Sequence, residues 1–146
     1  MGEDMYDHID LESFVRHAGD AIIAVGANGD IILWNPAAER IFGFTQDKAL
    51  GQSLDLIIPE RFRERHWDGF RKVMLSGQTR YGAEVLRVAA IHKNGRALSI
   101  AFTVVLLPSS DGKPDAIAAI VRDENRRWNE ERELRRRLTE LEQQSR

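Results

Sequence analysis

Three short turns constrain most of what this chain can fold into. Asn28-Gly29-Asp30, Lys93-Asn94-Gly95-Arg96 and Ser110-Asp111-Gly112-Lys113-Pro114 each separate two apolar runs. Asn-Gly and Asp-Gly adopt positive φ at little cost, as tight reversals of an extended chain require, so the flanking runs are expected to pair as antiparallel hairpins. Ala21 to Val25 and Ile31 to Trp34 flank the first turn, while Ala83 to Ile91, Ala97 to Leu107 and Ala116 to Val121 follow one another across the other two. In the fourth run Leu98, Ile100, Phe102 and Val104 alternate with Ser99, Ala101 and Thr103, the period of two of a strand with one buried face. The pattern predicts five strands, the last three an antiparallel meander.

Helical signals fill the remaining space. Asp10 precedes Leu11, Phe14 and Val15 and suits the cap of a short amphipathic helix ending near Gly19. Asn35-Pro36-Ala37-Ala38-Glu39 places a cap residue before Pro at the first helical position, and Gly43 closes that helix. Thr45 begins another short helix that Gly51 ends, and Pro59 opens a longer one that runs to about Leu75 and stops at Gly77. Strands segregated from helices predict an α+β fold, a five-stranded antiparallel sheet with short helices on one face.

The chain average of 42% hydrophobic and 30% charged residues hides a division. From Glu124 to Arg146, 13 of 23 residues are charged, seven basic and six acidic, with no Gly or Pro. Leu134, Leu138 and Leu141 step by four and three, a narrow coiled-coil stripe. Two readings stand: a solvated helix that ends the domain, or a dimerising, signal-carrying coil. Residues 1–19 are expected to form an N-terminal cap helix region, 20–123 the core, and 124–146 a C-terminal amphipathic signalling helix.

Composition excludes several function classes. The net charge of −2 supplies no basic field for nucleic acid or an anionic membrane. The longest apolar stretches, such as Phe102 to Leu107, fall far short of the ~20 residues that span a bilayer. The acidic start, Met1-Gly2-Glu3-Asp4, leads into no apolar segment, so a cytoplasmic location is expected. With no cysteine, there is no thiolate metal site, disulfide or cysteine nucleophile. No Gly-x-Ser-x-Gly, Walker loop or Gly-x-Gly-x-x-Gly occurs either, so no catalytic residue is expected.

The longer helix holds the most informative side chain. Phe62, His66, Phe70 and Val73 fall on one face at spacings of four, four and three. His66 therefore sits within the apolar stripe that should meet the sheet. It is either a core or rim histidine satisfied by a carbonyl or water, or a ligand such as haem iron takes as its proximal bond. His8, His17 and His92 are scattered and do not suggest a zinc site. Glu84 shares a strand face with Leu86 and Val88 and either points inward or lies at a solvated strand start. Trp67 and Tyr81 either pack or line a pocket mouth.

Taken together, the stretch from about Leu11 to Asp123 resembles a PAS sensory domain. Ala21-Ile22-Ile23-Ala24-Val25 with Asn28-Gly29-Asp30 looks like the first hairpin, and Trp34-Asn35-Pro36-Ala37-Ala38-Glu39-Arg40-Ile41-Phe42-Gly43-Phe44 like the second strand and its helix. Gly51 through Ile57-Ile58-Pro59 matches the approach to the long helix. His92-Lys93-Asn94-Gly95-Arg96 matches a family turn in which Asp is usual where Asn94 stands, and Val121-Arg122-Asp123 matches the exit into a signalling helix. Glu124-Asn125 departs from the family's commoner "DIT" or "DLT" ending.

The resemblance implies a sensor or dimerisation module of a bacterial signalling protein, a homodimer through its N-terminal helix, sheet face and C-terminal coil, with a possible downstream output domain. It implies a cavity lined by Phe62, Phe70, Leu86, Val88, Ile100 and Phe102, either holding a ligand or filled by side chains. The missing cysteine closes the cysteinyl-flavin adduct branch. The haem branch carries its proximal histidine at the position of His66, and the separation from His66 to Gly95 matches that branch too. Lys72 and Arg80 would then pair the propionates. The distal arginine of several haem sensors would align with Leu86, and Arg87 falls one position away on the opposite strand face.

Overall fold

A computed structural model describes residues 8–78 and 84–145. Leu11–His17 (α1) is followed by Ala21–Gly26 (β1), Ile31–Trp34 (β2), Pro36–Phe42 (α2), Gln46–Ala49 (α3), a 3-10 turn at Leu54–Ile57 and the long helix Glu60–Ser76 (α4). Leu86–Ile91 (β3), Ala97–Pro108 (β4) and Pro114–Asp123 (β5) then lead into Asn125–Gln144 (α5). The strands form one sheet in the order β2-β1-β5-β4-β3, with every pairing antiparallel. The α+β architecture with a terminal helix is the one the turns and runs predict.

Local chemistry explains the element ends. Asp10 accepts from the Ser13 N–H at the start of α1, and Gly43 and Gly77 close α2 and α4 with left-handed φ of 86° and 70°. Asn35 is buried and spends its whole amide: it accepts from the N–H groups of Ile22 and Ala38 and donates to the carbonyls of Val15 and Asp20. One side chain thus caps α2 and ties it to β1 and to the segment after α1.

Trp34, Phe42 and Ile31 are the largest fully buried side chains. The Trp34 and Phe42 rings lie 5.6 Å apart, and Trp34 Nε1 donates to the Phe44 carbonyl at 2.9 Å. Gly43 leaves room for His92: a Cβ there would stand 2.6 Å from the His92 ring. The His92 imidazole in turn accepts from the Asn94 N–H through Nδ1. This histidine is therefore a turn and packing residue.

Two features differ from the sequence expectation. The strand expected from Ala83 begins at Leu86, where pairing with Phe102 starts. Beyond Phe102, β4 continues with β5 alone, so Glu84 and Val85 find no ladder partner and are exposed; Ala83 lies outside the described residues. Glu84 accordingly sits on the solvated side. The 3-10 turn at Leu54–Ile57 has no counterpart in that expectation; Ser53 caps it through the Asp55 N–H and bridges to Asp30.

The inner face of the sheet carries Ala21, Val121, Phe102 and Leu86 in line across four strands. The outer face leaves Val105, Leu107 and Ile120 exposed. Among the described residues no helix is long and apolar enough to cross a membrane.

Candidate functional site

The 17 residues of α4 contain none that is fully buried, although the helix has a clear apolar face. The reason is what that face meets. Between α4, the Leu54–Ile58 segment and the inner face of the sheet lies a cavity of about 580 Å³. Its size falls within the range of small-molecule sites, about 300–1,000 Å³. Phe62, His66, Phe70 and Val73 border it from α4, as the helical spacing predicts. Leu86 and Val88 border it from β3, and Ile100 and Phe102 from β4. The alternation along β4 extends further, through Val104 and Leu106.

His66 is the polar side chain at the centre of this wall. Its Nδ1 is buried and has no hydrogen-bond partner among the described residues. A buried, unpaired polar atom costs roughly 1–3 kcal/mol. Burial pushes the imidazole pKa below its ordinary 6.5, with the Asp55 carboxylate pulling more weakly the other way. The ring is therefore neutral near pH 7. Trp67 meets it edge-on at 4.5 Å and Phe70 lies nearly parallel at 6.5 Å. The histidine is thus flanked by aromatic rings, with Nδ1 uncommitted.

Trp67 and Asp55 hold the wall in place. Trp67 Nε1 donates to Asp55 Oδ1 at 2.7 Å, and its ring packs on Gly29, where an added Cβ would stand 3.0 Å from the indole. Arg63 donates to the carbonyls of Ile58 and Asp55. These contacts tie α4 to the first hairpin and to the 3-10 turn, so Trp67 serves the cavity by packing beside it.

The charged residues fall differently from the sequence expectation. Lys72 is exposed and does not border the cavity, because its position on α4 turns it away from the Phe62–His66–Phe70 face. Arg80 and Tyr81 lie outside the described residues. Arg65 and Arg87 border the cavity instead. Periodicity could not reveal Arg87, whose strand position pairs with Ala101 on the outer face and whose side chain meets Glu124. Among the described residues no group of three or more His, Asp or Glu could hold a metal ion.

Comparison with known proteins is consistent with this geometry. A 30% identical match over 118 residues, 80% of this chain, is an uncharacterised protein of Azorhizobium caulinodans. The sensor protein FixL of Bradyrhizobium diazoefficiens matches at 39% over 56 residues, 38% of this chain, and the oxygen sensor protein DosP of Escherichia coli at 26% over 101 residues, 69% of this chain. The chain spans 16%, 11% and 12% of those proteins, respectively. Among solved structures, the PAS domain of a Colwellia psychrerythraea protein superposes with a TM-score of 0.67 at 20% identity, over 77% of this chain and 92% of that one. The family model described as PAS fold matches residues 9–124. The chain belongs to the PAS family.

Proposed function

We propose that this chain is the sensory module of a bacterial signalling protein and that its cavity takes haem or another small apolar ligand, with His66 as the axial ligand of haem iron. PAS domains are generally sensory modules rather than enzymes, and no catalytic role is assigned to any residue. The observation that carries the reading is the His66 imidazole: neutral, buried at Nδ1, unpartnered and set in an apolar cavity of about 580 Å³. A cavity this size supports a ligand-holding module over one whose core is filled by side chains. The match to a protein named as an oxygen sensor points the same way.

The residues present fit haem in two respects. His66 offers an imidazole already deprotonated, as iron ligation requires, and Phe62, Phe70, Ile100 and Phe102 offer the apolar walls a porphyrin face needs. Bound haem would supply an iron site for a diatomic gas or for a change of oxidation state. Leu86 stands where several haem sensors carry an arginine, so the chain's own side chains offer a bound gas an apolar roof there. The cavity wall is continuous with β4, which starts beside α5, and with β5, which ends beside it, so a change in the wall can bias the helix only through contacts that differ between the bound and free states. The module is further proposed to act in the cytoplasm as a homodimer through α1, the outer sheet face and α5, passing its state to an output domain.

Reconstitution with haemin tests this. Wild-type protein should give a Soret band that is lost in His66→Ala while far-UV circular dichroism shows the fold retained. No band in folded, haemin-treated wild-type protein would sink the haem reading.

A further inference from the structure

The long helix α4 carries a glycine at its middle. Gly69 stands three residues after His66 and four before Val73, so it neighbours both on the helix surface. Around the helix axis its position falls inside the arc from Arg65 to Phe70 that borders the cavity, and it borders the cavity itself. Glycine costs a helix interior more than any residue except proline, so its place in α4 needs a physical reason.

The two reasons that explain other glycines of this chain do not apply. Gly29, Gly43, Gly51, Gly77, Gly95 and Gly112 take φ between 70° and 89°, whereas Gly69 has ordinary helical backbone. Gly29 and Gly43 also make room for a neighbour, since a Cβ there would stand 3.0 Å from Trp67 and 2.6 Å from His92. A Cβ on Gly69 would meet no described side chain, and no backbone of another described element, within 4 Å. The glycine is exposed, a gap in a wall that Phe62, His66, Phe70 and Val73 otherwise build from large side chains. Helical side chains lean toward the N-terminus, so a side chain at position 69 would cover the patch beside His66. That patch adjoins the imidazole whose Nδ1 is buried without a described partner.

We propose that Gly69 is the specificity-determining position of the cavity: having no side chain, it lets a flat, fused-ring ligand lie against the α4 backbone next to His66. A ring face set on bare backbone gains dispersion contact across its breadth, and the Phe62, His66 and Phe70 rings favour an aromatic body beside them. A side chain at position 69 would hold such a ring off the helix and confine the cavity to narrower ligands. This rests on the ligand-binding reading above and adds the shape of the ligand and the residue that admits it.

Haemin titrations and melting curves of wild type, Gly69→Ala and Gly69→Leu test the proposal. Both variants should melt at or above the wild-type temperature, Gly69→Ala by about 2–5 °C, because the site has room and both residues favour helix. Haemin affinity should nevertheless fall at least about fivefold in Gly69→Ala, the effect of overfilling by one methyl group, and the Soret band should be lost in Gly69→Leu. Variants that take up haemin as wild type does would overturn the proposal and leave the haem reading standing. Loss of haemin accompanied by a lower melting temperature in both variants would also overturn it, since Gly69 would then serve packing. If wild type gives no Soret band, the haem reading alone fails, and the flat fused-ring hydrocarbon pyrene replaces haemin, with its fluorescence band ratio as the readout. A shift toward an apolar environment in wild type that is weakened in Gly69→Leu would uphold the proposal; an equal shift in both, or none, would overturn it.

Discussion

At the scale of single residues, His66 and Asn35 show two outcomes for a polar group placed inside. Asn35 satisfies its amide with four hydrogen bonds and so becomes a joint between α1, β1 and α2. His66 has no such partner at Nδ1, and burial holds its folded pKa below the ordinary value of 6.5. As pH falls, the unfolded chain therefore takes up this proton before the folded one does. Stability contributed by the neutral ring is intact above the unfolded value and is lost as pH falls through it toward the lower folded value. Urea denaturation at about pH 7.5 and about pH 5.5 should show wild-type protein weakening at the lower pH, with a smaller loss in His66→Phe. Identical losses in the two proteins would show that His66 does not titrate in this way.

At the scale of elements, α4 and α5 are both amphipathic, and both leave apolar surface unfilled. The face of α4 meets a cavity. Among the described residues the stripe of α5 is left uncovered: Leu134, Leu138 and Leu141 are 63%, 58% and 62% exposed. Its ion pairs, Arg127–Glu131, Arg136–Glu133 and Arg137–Glu133, run along its own exposed surface and are screened by solvent, so they add little. A helix this polar gains most of its stability by burying the leucines against a second helix. Sedimentation across a concentration series should therefore show self-association, and Leu138→Arg should shift the chain toward monomer. Unchanged association in that variant would place the contact elsewhere, on α1 or the outer sheet face.

At the scale of the whole molecule, the core is divided. One end is packed around Trp34, Phe42 and Ile31, and the other is open space between α4 and the sheet. Ala119 lies on the central strand β5, on the inner face, and borders that space. Inserting a large side chain into a filled core typically costs about 1–3 kcal/mol. Here Ala119→Phe should leave the thermal midpoint at or above that of wild type while abolishing uptake of haemin. A drop of several degrees would mean that the volume is not free.

The strands, helices, caps and the face on which His66 lies were legible in the sequence because each depends on a period of two or 3.6, or on a turn residue with a local conformational demand. Gly29, Gly43, Asn35 and the Phe62–His66–Phe70 stripe all speak within a few residues of themselves. The cavity could not be read that way. Whether Leu86, Ile100 and Phe102 touch Phe62 and Phe70 or stand away from them depends on the separation of α4 from the sheet, set by Trp67 resting on Gly29 and bonded to Asp55. Nor could the sequence show that Lys72 turns away or that Arg87 meets Glu124, since residues 37 positions apart meet only once β3, β4 and β5 have paired. Short-range chemistry determined the elements; the packing of α4 and the placing of β3 at the sheet edge decided where the space and its charges are.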